Sequence, residues 1–192
     1  LDEYEGYAWT AHGRYPTNTP GWWGGAHPFS MLDFSIVHNG EISSYDANKR
    51  YIEMFGYKCN LLTDTEVITY IIDYLIRKKG LTLEETASVI SAPFWSTIKN
   101  KPQEEREKLT FLRKAFPSLL ITGPFSIILG FNGGLMALND RLKLRSMVVG
   151  EKGDTVYIAS EECAIREMSP EVDNVWAPKG GEPVIVRLEE GK

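Results

Sequence analysis

The chain has 192 residues, 43% of them hydrophobic, and a formal net charge of −5. That length and apolar content suit one globular domain, 1–192, with a substantial core. The acidic balance argues against a nucleic-acid surface, and no apolar run approaches the roughly 20 residues a bilayer-spanning helix needs.

In chain order, Tyr7–Arg14 and Phe34–His38 are rich in aromatic or β-branched residues and read as strands. The stretch Pro16–Pro28 between them holds proline, glycine and the pair Trp22-Trp23, and reads as a packed lid rather than a disordered loop. Ser43–Phe55 reads as a short helix. Asp64 stands where an N-cap would, ahead of Val67, Ile68, Ile71, Ile72 and Leu75, which repeat at helical spacing, and Lys78-Lys79-Gly80 supplies a stop. Thr82 caps a further helix, with Glu85 at the third position of a capping box.

Residues 93–118 form a polar, charged helical insert that begins at Pro93. Beyond Pro124 the texture changes to short β-type runs: Phe125–Phe131, Leu135–Leu138, Leu144–Val149, Thr155–Ser160 and Val184–Leu188. Gly130–Gly134 reads as a hairpin and Lys179–Pro183 as a turn before the last strand. Helices set between two groups of antiparallel-looking strands predict an α+β layered fold.

Three islands carry chemistry. The first is His12-Gly-Arg-Tyr-Pro-Thr-Asn-Thr19. The Arg14 guanidinium can grip a carboxylate through two parallel hydrogen bonds, with Tyr15 and Thr17 as neighbouring donors. The plain alternative is a surface arginine paired with a local acid. The second is His38-Asn-Gly-Glu-Ile42. Asn39-Gly40 is a strong β-turn signal, yet the same pair can aim an amide NH₂ and a backbone N–H at one developing oxyanion. The third is Thr63-Asp-Thr-Glu66. Asp64 is either a helix N-cap or the partner of a ligand ammonium, and Glu66 reads as a first-turn acid favoured by the helix dipole.

His12, His27 and His38 match no metal-ligand spacing and read as structural histidines packed beside the pocket, with no metal expected. Cys59 and Cys163 fit neither a metal site nor a disulfide framework, which favours a reducing cytoplasm. The tryptophans read as core and lid.

Taken in order, these islands resemble the class II glutamine amidotransferase domains of the N-terminal-nucleophile hydrolase superfamily. Arg-Tyr-Pro-Thr-Asn-Thr, then tryptophan, then His-Asn-Gly-Glu-Ile is most similar to the amidotransferase domain of glutamate synthase. Asn139–Arg145 and Ile158–Glu161 resemble that family's two distal strands, and the 93–118 insert is expected there too. The resemblance spans roughly residues 8–168.

It implies a four-layer αββα sandwich. It also implies that Arg14 binds the glutamine α-carboxylate, that Asp64 holds the α-ammonium, that Asn39 and Gly40 form the oxyanion hole, and that Tyr15 and Thr17 line the pocket. The implied activity is release of ammonia from glutamine for a synthase domain or subunit that makes glutamate from 2-oxoglutarate. No cofactor is expected in this domain. A second reading changes the acceptor to a sugar phosphate or phosphoribosyl diphosphate. A third is a non-catalytic module that binds glutamine or a partner. Oligomeric state is left open.

One departure stands out. The family nucleophile is an N-terminal cysteine whose own amine acts as the base. This chain opens with Leu1, and only thirteen residues precede Arg14. The expectation is a domain incomplete at its N-terminus, with its first strand or strands and its nucleophile outside this chain.

Overall fold

The computed structural model describes residues 2–16 and 21–188. Among the described residues, eight strands form two antiparallel sheets. The larger runs in the order β1 (Phe29–Met31), β2 (Phe34–Gly40), β3 (Phe125–Phe131), β4 (Gly134–Asn139) and β8 (Val184–Arg187). The smaller has β5 (Val148–Lys152) between β6 (Thr155–Ala159) and β7 (Asn174–Trp176).

Helices α1 (Tyr45–Glu53), α2 (Asp64–Asp73) and α3 (Leu83–Ile90) build the layer over the large sheet. Val67, Ile68, Ile71, Ile72 and Leu75 are fully buried, and they pack in one core with Ile36, Ile127, Leu129, Met136 and Leu138 from the sheet. Each such side chain contributes on the order of 1.5–3 kcal/mol on burial. Helix α6 (Glu162–Met168) covers the small sheet, sinking Ile165 against Gly150. The layers therefore run helices, large sheet, small sheet, helix: an α+β, αββα arrangement.

Helix α2 continues through a π-helical turn, Tyr74–Lys78, and stops at Gly80, where φ is +70°. The Thr82 capping box is present, with Glu85 N–H donating to the Thr82 hydroxyl and Thr82 N–H to the Glu85 carboxylate. Residues 93–118 hold α4 (Trp95–Lys99), α5 (Gln103–Ala115) and the start of a 3₁₀ turn, Pro117–Leu119. Helix α5 is polar and buries only Leu109 and Leu112. The β3–β4 hairpin closes on Asn132-Gly133, as expected.

Several expectations are corrected. Tyr7–Arg14 is extended coil, not a strand. Tyr7 and Trp9 are exposed, the Trp9 indole donates to Tyr4 O, and the Thr10 hydroxyl meets that of Ser35 at 2.9 Å. Asn39-Gly40 is not a turn but the end of β2, paired with Ser126 and Phe125. Residues 140–147 form a loop before β5, because the Asp140 carboxylate accepts the N–H groups of Leu142, Leu144 and Arg145 and takes them from any ladder. Among the described residues no helix is long and apolar enough to cross a membrane.

Candidate active site

β2 hands its side chains alternately to the two layers. Ile36 and His38 face the helices; Val37 and Asn39 face the small sheet. At its end the chain passes so close to the 122–124 segment that Gly40 is obligatory. Its φ is +150°, and a Cβ there would lie 2.1 Å from Pro124 O. Glu41 N–H then donates to Pro124 O and Ser43 N–H to Thr122 O, both at 2.9 Å.

Beside this strand end lies a cleft of about 510 Å³ whose walls include Arg14, Tyr15, Asn39, Gly40 and Asp64. Five of the six residues expected at the site thus meet at one cavity, of a size suited to a small metabolite. Thr17 lies outside the described residues. Tyr15 sits at the rim, 86% exposed. The Arg14 guanidinium donates to Gly25 O, which ties the first island to the short 3₁₀ turn Trp23–Gly25.

Asp64 is the first residue of α2 rather than its cap. Thr63 precedes it in the cap position and makes no side-chain capping bond. The Asp64 carboxylate instead accepts from Ile42 N–H at 3.3 Å and lies 3.4 Å from His38 Nδ1. Burial pushes this carboxyl up, but His38 and the backbone N–H groups of Ile42 and Thr65 outweigh it and hold it below the usual aspartate range. It is therefore an anion at neutral pH.

The three histidines gather at this cleft, as the structural reading expected. His12 and His27 stack at 4.4 Å between ring centroids. The Thr65 hydroxyl bridges His27 Nε2 at 2.8 Å and His38 Nδ1 at 3.3 Å. Burial, reinforced by His12, His38 and Arg14, lowers His27 to about 4, and burial also lowers His12. Neutral His12 and His27 offer polar contacts without adding positive charge beside Arg14. Among the described residues no group of three or more His, Cys, Asp or Glu is arranged to hold a metal ion.

Both cysteines are free. Burial, then Glu66 and Glu53, push the Cys59 thiol up to about 12, while a hydrogen bond to Glu161 raises exposed Cys163. Neither is an activated thiolate.

Three contributors escaped the sequence reading. Arg145 reaches the same cleft from the Asp140 loop. Thr65 links two histidines. Ser160, just past β6, accepts from Asn39 Nδ2 at 3.2 Å. Arg145 and Ser160 each lay within a motif that carried the family resemblance, but nothing local marked either as a site residue.

The family model described as "Glutamine amidotransferases class-II" matches residues 2–192. An uncharacterized protein of Archaeoglobus fulgidus is 53% identical over 98% of this chain and 50% of its own length. The amidophosphoribosyltransferase of Methanocaldococcus jannaschii is 28% identical over 100% of this chain and 37% of its own. The chain thus spans half or less of these relatives. The solved glutamine phosphoribosylpyrophosphate amidotransferase of B. subtilis shares the fold, with a TM-score of 0.59 at 18% identity, covering 92% of this chain and 32% of that one. With the whole described chain matched and the αββα architecture in place, this protein belongs to the class II glutamine amidotransferases, of N-terminal-nucleophile fold.

Proposed function

We propose that this domain is the glutaminase half of an amidotransferase, cleaving the side-chain amide of glutamine and passing the ammonia to a synthase domain or subunit. The observation that carries this reading is the convergence of Arg14, Asn39, Gly40 and Asp64 on one cleft. A free α-amino acid presents a carboxylate and an ammonium, which match the cation of Arg14 and the anion of Asp64. Tyr15 stands at the rim, and the resemblance gives Thr17 a part in binding glutamine by its place in the motif. Asn39 and Gly40 supply donors for the oxyanion that forms when the amide carbon is attacked.

In this reaction a thiolate adds to the amide carbon, ammonia leaves with the proton, and water cleaves the thioester to glutamate. The family resemblance implies an N-terminal cysteine as the source of this thiolate; Cys59 and Cys163 are not activated and do not supply it. The unpaired cysteines fit a cytoplasmic setting.

For the acceptor, the amidophosphoribosyltransferase relative supports a phosphorylated sugar over 2-oxoglutarate. Glutamate synthesis is the second reading, favoured by the Arg-Tyr-Pro-Thr-Asn-Thr and His-Asn-Gly-Glu-Ile motifs. Amination of 2-oxoglutarate, but of no phosphorylated sugar, by the full-length protein would reverse that order.

The test of the glutaminase reading uses the full-length protein. Arg14→Lys keeps a charge and loses the paired bonds, so KM for glutamine should rise about tenfold or more with kcat nearly kept. An unchanged KM removes the carboxylate role, and absence of ammonia release from the wild type removes the glutaminase reading.

A further inference from the structure

Asn39, at the end of β2, and Ser160, just past β6, stand 121 positions apart, yet Asn39 Nδ2 donates to Ser160 Oγ at 3.2 Å. We propose that Ser160 is a positioning residue for the reaction: its hydroxyl fixes the rotation of the Asn39 amide so that the remaining N–H is aimed at the oxyanion. The inference rests on the glutaminase reading and extends it to a residue that makes no contact with substrate.

The physical argument starts from the amide. The terminal torsion of an asparagine is broad, so a half-buried carboxamide with no partner turns freely between two faces. The two N–H bonds of the NH₂ group are coplanar and diverge by a fixed angle. A bond along one therefore sets the direction of the other. A serine hydroxyl can accept the first bond while donating elsewhere.

The surroundings make this bond consequential. Asn39 and Ser160 both line a second cavity of about 340 Å³ between the sheets, walled also by Val37, Ile128 and Met147. Other polar groups line this cavity, Ser126 and Glu161 among them, but the Asn39 amide bonds to the Ser160 hydroxyl, and without that bond there is room for the amide to turn. Ser160 sits one residue past the last paired residue of β6, Ala159 opposite Val148. Its backbone is thus held by the small sheet, while Asn39 is held by the ladder of β2 with β3. The hydroxyl clamps the oxyanion donor between two rigid elements.

The test is steady-state glutamine hydrolysis by the full-length protein. Asn39→Ala should lower kcat by about 10²–10³-fold. Ser160→Ala should lower kcat by roughly tenfold, a part of that range, with KM and melting temperature close to wild type. Ser160→Thr, which keeps the hydroxyl, should retain kcat. Adding Ser160→Ala to Asn39→Ala should cost nothing further, because the hydroxyl then has no amide to orient. An unchanged kcat in Ser160→Ala, or a full additive loss in the double variant, overturns the positioning role alone. An unchanged kcat in Asn39→Ala overturns the oxyanion reading, and this inference with it.

Discussion

His38 Nδ1 lies 3.4 Å from Asp64 Oδ1, joining the end of β2 to the first turn of α2. The contact keeps Asp64 ionised although its burial opposes the charge, and so places an anion on the wall of the cleft. An asparagine keeps an amide oxygen for the Ile42 and Thr65 N–H groups, so Asp64→Asn should leave α2 intact. Loss of a charge-assisted bond of about 1.5–3 kcal/mol predicts a roughly ten- to hundredfold rise in KM for glutamine. A normal KM beside a clearly lowered melting temperature would assign Asp64 to the fold instead.

Glu66 stands in the first turn of α2, as expected of an acid favoured by the helix dipole. Its side chain is buried, and its carboxylate accepts from Asn60 N–H at 3.1 Å, Leu61 N–H at 2.8 Å and the Tyr70 hydroxyl at 3.2 Å. These bonds hold the approach to Leu62, whose φ of +55° is costly for a leucine, and Leu62, Thr63 and Asp64 then form a wall of the cleft. Glu66→Gln sets an NH₂ group against backbone donors. It should cost about 1–3 kcal/mol in thermal or denaturant unfolding and raise KM for glutamine. Wild-type stability would show that the loop holds itself.

What could be read from the sequence divides along the range of the interactions involved. The α2 repeat of Val67, Ile68, Ile71, Ile72 and Leu75, the Thr82–Glu85 capping box and the Asn132-Gly133 hairpin are local, and each stands where expected. β1 lies just past the Pro16–Pro28 stretch and carries no local signal, because three residues become a strand only by pairing with Phe34–Ile36. Helix α6 was missed because Glu162–Met168 buries one residue, Ile165, and shows no apolar stripe. Within the site, Arg14, Asn39 and Asp64 announced themselves by residue type and order. Thr65 and Ser160 could not, since a lone hydroxyl gains meaning only from what the fold sets opposite it.

The histidine pair predicts an acid limit to stability. Folded His27 titrates at about 4 and His12 also below its ordinary 6.5. Between those values the unfolded chain binds more protons than the folded one, so stability falls as pH drops from 6.5 toward 4 and is untouched above 6.5. Asp64, held below 3.8, adds its own loss only at lower pH. Melting temperature followed across this window should decline in the wild type. His27→Gln should flatten the decline, at some cost in stability at neutral pH from the altered bonds to Thr65 and Gly25. An equally steep decline in the variant would place the acid sensitivity elsewhere.

Two glycines with positive φ separate collision from conformation. At Gly40 a Cβ would lie 2.1 Å from Pro124 O and 2.8 Å from Phe125 Cα; at Gly133, where φ is +90°, it would meet nothing within 4 Å. Gly133→Ala should therefore cost only the left-handed backbone penalty, about 1–2 kcal/mol. Gly40→Ala must also drive the 40–43 and 122–124 segments apart, straining the bonds from Glu41 and Ser43, and should lose roughly 2–4 kcal/mol. The same displacement moves Asn39 relative to Ser160 and Asp64, so glutamine turnover should collapse in Gly40→Ala while Gly133→Ala, at the far end of β3, keeps it. Equal stability losses in the two variants would mean that the backbone angle alone, and not the close approach to Pro124, demands glycine at the end of β2.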